Sequence, residues 1–469
     1  MTPTVPAFWP SHWANCRLTR LMWPLVLLLS CGGGGGGGSA GGSAGGSAAS
    51  NTQLTLTLPV QALAANDLAV IVAKGDALSE AVASYYQTAR GIAASNIIRV
   101  SVNTASDTIS AADFAALKAE VDAKLPANVQ ATLVTWGAPS RVAGSCTMSL
   151  TSAMAFGFSP QFCANTCEVT ASSAYFDSES AKPWTDHAMR PSMMLGSKTL
   201  VAAKALIDRG VQADASFPTG DGYLLRTTDE PRSVRYTDYH NLPSLWSGSG
   251  GVSLSYIDNA WGSASNSLVG KSNVLFYFTG LVSVPNLSSV SFRPGAAADH
   301  LTSFGGYLPG GNGQMPSTAW LDAGATASYG AVAEPCNFTQ KFSQASILID
   351  HYFRGDTLME AYWKSVQWPG QGLFLGEPLA RPFRATQLLT ISGDRYEIST
   401  RAMRPNSTYA LEYRTAVSSN WVVLASFKVL RAQAQTVTAP LAPAGATQLR
   451  WVGPCAANAS QQCTLAASG

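Results

Sequence analysis

The side chains best suited to moving a proton gather in one short segment of this 469-residue chain. Arg293, Asp299, His300 and Ser303 follow one another closely, and Glu334 comes soon after in Glu334-Pro-Cys336. A histidine beside a hydroxyl could serve as general base to a nucleophile, and a carboxylate would orient it. Arg293 could offer a planar donor fork to a carboxylate, either Glu334 or that of a ligand. If Pro294 to Ser303 is helical, His300 and Ser303 share a face at i,i+3, and Asp299 and Ser303 share one at i,i+4. Adjacent Asp299 and His300 then diverge by about 100°. Such a helix cannot by itself supply an ordered Ser–His–Asp relay, so a second carboxylate, Glu334 or Asp186, would have to come from elsewhere. The competing role is structural and the sequence favours it: Asp299 and His300 cap and cross-link packed loops. Glu334 is evenly placed between a site role and an ion pair with Arg293 or Arg381. Asp186-His187 with Arg190 forms a second, weaker cluster. Pro309-Gly-Gly-Asn-Gly313 lacks the Lys-Ser/Thr of a phosphate loop and reads as a flexible loop over a crevice. Trp320, Trp363 and Trp368 read as core or crevice wall.

The elements that must position these groups alternate. Asp67–Ala73, Asn96–Val102 and Ala131–Trp136 are apolar runs of strand length. Between them, Leu78–Ala89 has helical spacing and Gly91 is a C-cap, and Ser110 with Asp113 opens a second helix through Leu125. Alternation resumes with a helix over Thr199–Arg209 closed by Gly210. Strands then follow at Gly222–Arg226, Val252–Ile257, Val274–Thr279 and Ala325–Val332, and helices at Lys341–Phe353 and Thr357–Val366. A further short helix starts at Pro294. Strands alternating with helices predict an α/β fold with a mostly parallel sheet flanked by helices. In an open sheet of this kind the C-terminal strand ends form the ligand crevice, which raises Glu334 above an average glutamate. Residues 140–190 break the rhythm and read as a cysteine-containing excursion. After Arg384 the texture changes to short β-like runs split by Gly, Pro, Asn and Ser. That pattern predicts a small all-β, sandwich-like domain over 385–469, behind an α/β domain over 61–384.

The N-terminus carries a different signal. Arg17 and Arg20 precede an apolar run, Leu21–Leu29, and small Ser30 stands before Cys31. This is the anatomy of a secretory signal over residues 1–30, and the run is short of the roughly 20 residues that span a bilayer. Leu28-Leu-Ser-Cys31 resembles the bacterial lipobox, which implies lipidation of Cys31. Gly32 to Ser50 contains only Gly, Ser and Ala and reads as the main part of a flexible tether over 31–60. The expected partners are therefore the lipid bilayer, through Cys31, and an unknown protein or small-molecule ligand. The absence of Asp after Cys31 points to the outer membrane. A net charge of +2 without a basic stripe argues against nucleic acid. Five histidines without close His/Cys clusters argue against a zinc site, and no cofactor is expected. Beyond Cys31, Cys146, Cys163, Cys167, Cys336, Cys455 and Cys463 are disulfide candidates in an exported protein. Cys455 and Cys463 are expected to pair. Cys163 and Cys167 could bridge locally, or one could reach Cys146 or Cys336.

The most distinctive motifs are Phe292-Arg-Pro-Gly-Ala-Ala-Ala-Asp-His-Leu-Thr-Ser-Phe-Gly-Gly306, Glu334-Pro-Cys336, Gly355-Asp-Thr-Leu-Met-Glu-Ala-Tyr-Trp363 and Gly376-Glu-Pro-Leu-Ala-Arg-Pro382. They resemble a family of bacterial exported proteins and lipoproteins that carries no assigned reaction, over about Asp67 to Phe383. A more distant similarity is to the gingipain-type, caspase-like cysteine peptidases. It rests on the strand ending near Thr279-Gly280, the Gly/Ala-rich strand around Gly324–Gly330, a helix, and Leu375-Gly-Glu-Pro378. The resemblance implies a caspase-like three-layer sandwich with a His–Cys pair after consecutive strands. The histidine position falls near Gly280–Leu281 and the cysteine position near Val290–Phe292, and neither residue type is there. The expectation is therefore a non-catalytic binding or assembly protein on a degenerate caspase-like scaffold. The alternative is a hydrolase built on Asp299, His300, Ser303 and Glu334.

Overall fold

A computed structural model describes residues 55–57, 62–246, 251–384, 387–430 and 434–455. Signal, lipobox and most of the tether lie outside the described residues. The dominant feature is a ten-stranded sheet. Its strands in chain order are β1 (Leu68–Ala73), β2 (Ile97–Val100), β3 (Ala131–Val134), β4 (Ser192–Met194), β5 (Gly220–Arg226), β6 (Val252–Asp258), β7 (Val274–Gly280), β8 (Phe292–Leu301), β9 (Ala327–Ala331) and β10 (Gly372–Gly376). Their spatial order is β6-β5-β7-β8-β9-β10-β4-β3-β1-β2. Among the described residues, every neighbouring pair in this sheet is parallel except β9 and β10.

Two five-stranded parallel halves thus meet at one antiparallel seam. Each half has the same winding: the second strand lies outside the first, and the third, fourth and fifth follow on its other side. This is the 2-1-3-4-5 order of doubly wound sheets. The second half, β5 to β9, is inserted between the fourth and fifth strands of the first half. All six residues of β1, all seven of β7 and all five of β10 are buried. Successive side chains point to opposite faces, so both faces are covered. α1 (Ala77–Arg90) and α2 (Ala111–Lys124) follow crossovers that step in opposite directions across the sheet, and right-handed connections place them on opposite faces. α3 (Leu150–Phe156) packs on β4 and β10, and α4 (Leu200–Ala213) packs on α1 and β8. α5 (Thr318–Asp322), α6 (Ala345–Arg354) and α7 (Leu358–Ser365) complete the layers. Thr357 and Glu360 form a reciprocal capping box at the start of α7.

Several local expectations are corrected. Pro294–Ser303 is not a helix; its residues through Leu301 belong to β8. Its alanines sit buried beside β7, with Ala297 opposite Phe276, so sheet packing overrides helix propensity. Gly210 does not end the fourth helix but lies inside it. A Cβ there would stand 2.4 Å from the Glu377 carboxylate, so glycine is used for close approach. The excursion over 140–190 is not all surface: α3 is buried at six of its seven positions. Strands β4 and β10 carry no alternation that sequence reading could use. Thr55–Thr57, assigned to the tether, pairs in parallel with Ala446–Cys455.

The chain after 386 forms two small sheets separate from the large one. One contains Gln387–Ser392, Arg395–Thr400 and Gln435–Pro440; the other contains Ser407–Thr415, Val422–Val429, Ala446–Cys455 and Thr55–Thr57. Arg404 ties this unit to the excursion, donating to Asp177 at 2.6 and 2.7 Å. Asp177 also contacts His351, which bonds Asp356, and Lys364 donates to Asp356 at 2.7 Å. Two disulfides staple the excursion, Cys146–Cys163 and Cys167–Cys336. They select among the pairings that the sequence leaves open. The expected Cys455–Cys463 bridge lies outside the described residues. No helix among the described residues is long and apolar enough to cross a membrane.

Non-reducing peptide mapping is expected to recover both bridges; a Cys163–Cys167 peptide would contradict this topology. Cys167 and Cys336 are 169 residues apart. Removing that bridge in a Cys167→Ser/Cys336→Ser variant should lower stability by up to about 5 kcal/mol on the chain-entropy account.

Candidate functional site

The residues singled out for chemistry divide between two edges of the sheet. Arg293 is exposed at the start of β8, whereas Asp299 and His300 are near its C-terminal end and have 0% exposure. Arg293 therefore does not join them, contrary to expectation. Glu334 follows β9 at the same edge as Asp299 and is half-buried, with Oε1 accepting the Cys336 N–H at 2.8 Å. Ser303 is half-buried in the turn after β8.

Asp299 is locked in place. Its Oδ1 accepts from Arg235 Nη1 at 2.7 Å and its Oδ2 accepts from the Ser343 hydroxyl. Arg235 is itself buried, and its Nη2 donates to the Thr279 carbonyl at 2.6 Å. Burial raises the Asp299 carboxyl pKa, while Arg235 and Ser343 pull against it. His300 Nδ1 accepts from Trp320 Nε1–H at 2.9 Å, which leaves the ring proton on Nε2. Burial, reinforced by Arg235, depresses the imidazole to about 3. The ring is therefore neutral at physiological pH and sealed from solvent. These are the cross-links that the structural reading of the segment anticipates. The weaker cluster is also spent locally: Asp186 accepts from Ser180, His187 meets Ser178 at 3.0 Å, and Arg190 lies 3.4 Å over the Trp184 ring. Trp320 and Trp363 are core residues, and Trp363 stacks on Phe374.

The crevice that doubly wound topology leads one to expect is elsewhere. Ligands in such sheets bind outside the C-terminal strand ends, where the strand order reverses. In the first half that point lies between β1 and β3, and a crevice of about 260 Å³ opens there. Asp76 enters it from the turn after β1, Thr104 from beyond β2, Trp136 from beyond β3, and Ser197 with Lys198 from beyond β4. Leu308, Pro309 and Thr318 come from the second half. The long connection from β8 to β9 thus reaches across the seam to wall the first half's crevice. It is pinned there by three contacts. The Leu308 N–H donates to Ser140 Oγ at 3.0 Å, the Tyr307 hydroxyl donates to Asp107 at 2.6 Å, and Arg141 lies 3.8 Å over the Tyr307 ring. Of the glycine-rich stretch Pro309–Gly313, Pro309 lines this crevice.

Local sequence explains the floor. Asp76 is the N-cap of α1, with Oδ1 accepting the Ser79 N–H at 2.8 Å. Its Oδ2 accepts from Thr104 at 2.9 Å. The Ser79 hydroxyl bridges the Ala73 N–H and Thr135, locking α1 onto the ends of β1 and β3. Two polar atoms on the crevice residues have no partner. Trp136 is 2% exposed and Thr318 3% exposed, yet Trp136 Nε1 and Thr318 Oγ1 make no hydrogen bond. Leaving such a group unmade costs roughly 1–3 kcal/mol, and both atoms are sealed from solvent behind the crevice wall. Lys198 is exposed and forms no ion pair among the described residues. A second crevice of about 370 Å³ lies over Arg235 and Ser343 at the opposite edge, where Asp299 holds Arg235 Nη1 and the Ser343 hydroxyl and Arg235 Nε has no partner. No group of three or more His, Cys, Asp or Glu among the described residues is placed to hold a metal ion.

Sequence reading missed Asp76, Trp136, Lys198 and Thr318. The strand-end rule that raised Glu334 applies equally to the turns after β1 and β3, and would have found the first two. Comparison with known proteins finds no matching family model, no matching curated protein and no matching solved structure.

Two predictions follow from the buried pair of residues on β8. Asp299→Ala strands the Arg235 guanidinium and should cost about 3–5 kcal/mol in urea unfolding; a loss below 1 kcal/mol would contradict the lock. His300 has a folded pKa below its unfolded value, so the unfolded chain binds the extra proton. Stability through this group is complete above about pH 6.5 and is lost as pH falls from there towards 3, by about 2 kcal/mol between pH 6.5 and 5. In His300→Gln that part of the pH dependence should vanish.

Proposed function

We propose that this chain is a lipid-anchored protein of the bacterial envelope that binds a ligand in the crevice between β1, β3 and the Leu308–Pro309 wall, without catalysing a reaction. The observation that carries this reading is an open crevice of about 260 Å³ at the strand-order reversal of the first half, lined by Asp76, Thr104 and Lys198, set against Asp299 and His300 at 0% exposure. A hydrolase built on Asp299, His300, Ser303 and Glu334 needs a base that meets substrate. His300 is neutral but sealed, with one ring nitrogen already held by Trp320.

Export is supported by two disulfides, which persist in oxidising compartments. The lipobox-like Leu28–Cys31 and the glycine-rich segment behind it support an anchor and a tether, with the outer membrane as the site. The motifs from Phe292 to Pro382 support a relationship to the exported bacterial proteins that they resemble. The scaffold is read as a degenerate caspase-like one. β7 ends at Gly280, where the resemblance expects histidine. The next strand, β8, runs to Leu301, so the cysteine position moves from Val290–Phe292 to Thr302–Ser303. Neither position holds the required side chain, which favours binding over peptidase chemistry.

Metabolic labelling with a fatty acid tests the anchor. Wild type should carry label and sediment with membranes, and Cys31→Ser should do neither. Equal label in both would contradict lipidation at Cys31.

A further inference from the structure

We infer that the hairpin tip Thr415–Val423 of the C-terminal sheets docks on the surface of an anionic phospholipid bilayer, as a second membrane contact beside the lipid on Cys31. The inference rests on the lipid anchor argued above and names the part of the folded body that meets the membrane.

Strand register places this tip where the tether arrives. Thr55 pairs in parallel with Gln448, and Thr57 with Arg450. On the other side of the same strand, Arg414 pairs with Gln448 and Thr415 with Ala446. The end of Thr55–Thr57 nearer Cys31 is therefore level with the point where the chain leaves Ser407–Thr415 for the turn into Val422–Val429. Twenty-four residues separate Cys31 from Thr55, and a glycine-rich chain of that length spans about 27 Å r.m.s.. A bilayer that holds Cys31 is thus offered to this end of the sheet at high effective concentration.

The tip has the composition of an interfacial contact. Val417 is 97% exposed, and Val422 and Val423 are 47% and 46% exposed. A lone exposed valine needs no explanation, but three around one turn make a small apolar cap. Beside them stands half-buried Trp421, with the Arg414 guanidinium 4.9 Å and the Arg450 guanidinium 4.2 Å from its ring centroid. Indole rings settle at headgroup depth, and guanidinium forks suit lipid phosphates. Arg414 and Arg450 lie on the outer face of these strands, because alternate residues Leu411 and Leu449 are buried in the core.

Charge selects an anionic surface. Glu412 is the last acidic residue of the sequence, and Arg414, Lys428, Arg431 and Arg450 follow it. Glu412 accepts from Arg450 at 2.8 Å. Arg414 has no carboxylate partner among the described residues and donates to Gln448. A cation held near an anionic leaflet is attracted to it over roughly a Debye length. Apolar tip and neighbouring cations act together, as they do in other surface-bound amphipathic segments.

Vesicle co-sedimentation of the mature chain carrying Cys31→Ser tests the contact without the acyl anchor, so its failure and a failure of fatty-acid labelling are read separately. Binding to phosphatidylglycerol-containing vesicles at millimolar lipid is expected, falling about fivefold or more on pure phosphatidylcholine or in about 0.5 M salt. Val417→Asp and Arg414→Gln change surface positions and should each weaken binding about fivefold. Val201→Asp makes the same change at an 80% exposed valine of α4 and should stay within about twofold of the parent chain. Thermal unfolding of each variant checks that the fold is kept. Absence of binding to the anionic vesicles overturns the inference. Equal weakening by Val201→Asp overturns the assignment to this tip, and equal binding to neutral vesicles overturns the choice of an anionic surface. Retention on isolated peptidoglycan without binding to vesicles would give the tip to the cell wall and overturn the inference as well.

Discussion

The antiparallel pairing of β9 with β10 is the constraint from which the rest of this architecture follows. Without it the sheet would be two separate doubly wound units. With it, the chain leaves the first half after β4, builds a complete second half, and returns through β10 to close the first. The halves consequently point their C-terminal strand ends at opposite edges. A small residue on β9 lets the connection after β8 approach the seam: a Cβ on Gly330 would lie 2.6 Å from the backbone of Gly305 and Gly306. That contact brings the connection after β8 down on β9, from which it continues across to the first half. Leu308, Pro309 and Thr318 reach the crevice for this reason, and neither half alone would possess the complete pocket.

Polar groups at the two edges have different fates. At the edge of the second half Asp299 pairs with Arg235 and Ser343, and His300 Nδ1 with Trp320, while His300 Nε2 and Arg235 Nε stay unpartnered. Breaking a buried ion pair is costly because one charge is left uncompensated, so these residues hold strands and loops in register. The excursion does similar work through Asp177, which links Arg404 of the C-terminal sheets to His351 of α6. At the edge of the first half, Trp136, Thr318 and Lys198 remain without partners among the described residues. Asp299 and His300, conspicuous by type, are buried in structural contacts, whereas Lys198 is exposed beside the crevice.

Sequence periodicity carried much of the fold. β1 and β7 carry apolar runs of strand length, and α1 and α2 announce themselves through Gly91 and Ser110 at their caps. The mostly parallel sheet and the β texture after Arg384 are legible for the same reason. What sequence could not show was β8, where Pro294 and an alanine run mimic a helix start and only the neighbouring strands dictate extension. It also could not show β10, whose pairing partner is more than forty residues away, or α4 continuing through Gly210, where the decisive neighbour is distant Glu377. The crevice was hidden for a related reason. Asp76 is spent locally as the helix cap of α1, and Trp136 ends an apolar strand run, so neither stands out in the sequence. Their further significance depends on Thr318 arriving from the other side of the seam.

A crystal structure of the mature protein, resolved well enough to place ordered solvent, tests the central claim most directly. That claim is that the crevice of the first half is a binding site held open by the seam. The account predicts a ligand or ordered water in the crevice within hydrogen-bond distance of Asp76 or Lys198, with Leu308 and Pro309 walling the pocket. A crevice closed by protein side chains, with no room for solvent beside Asp76, would contradict it.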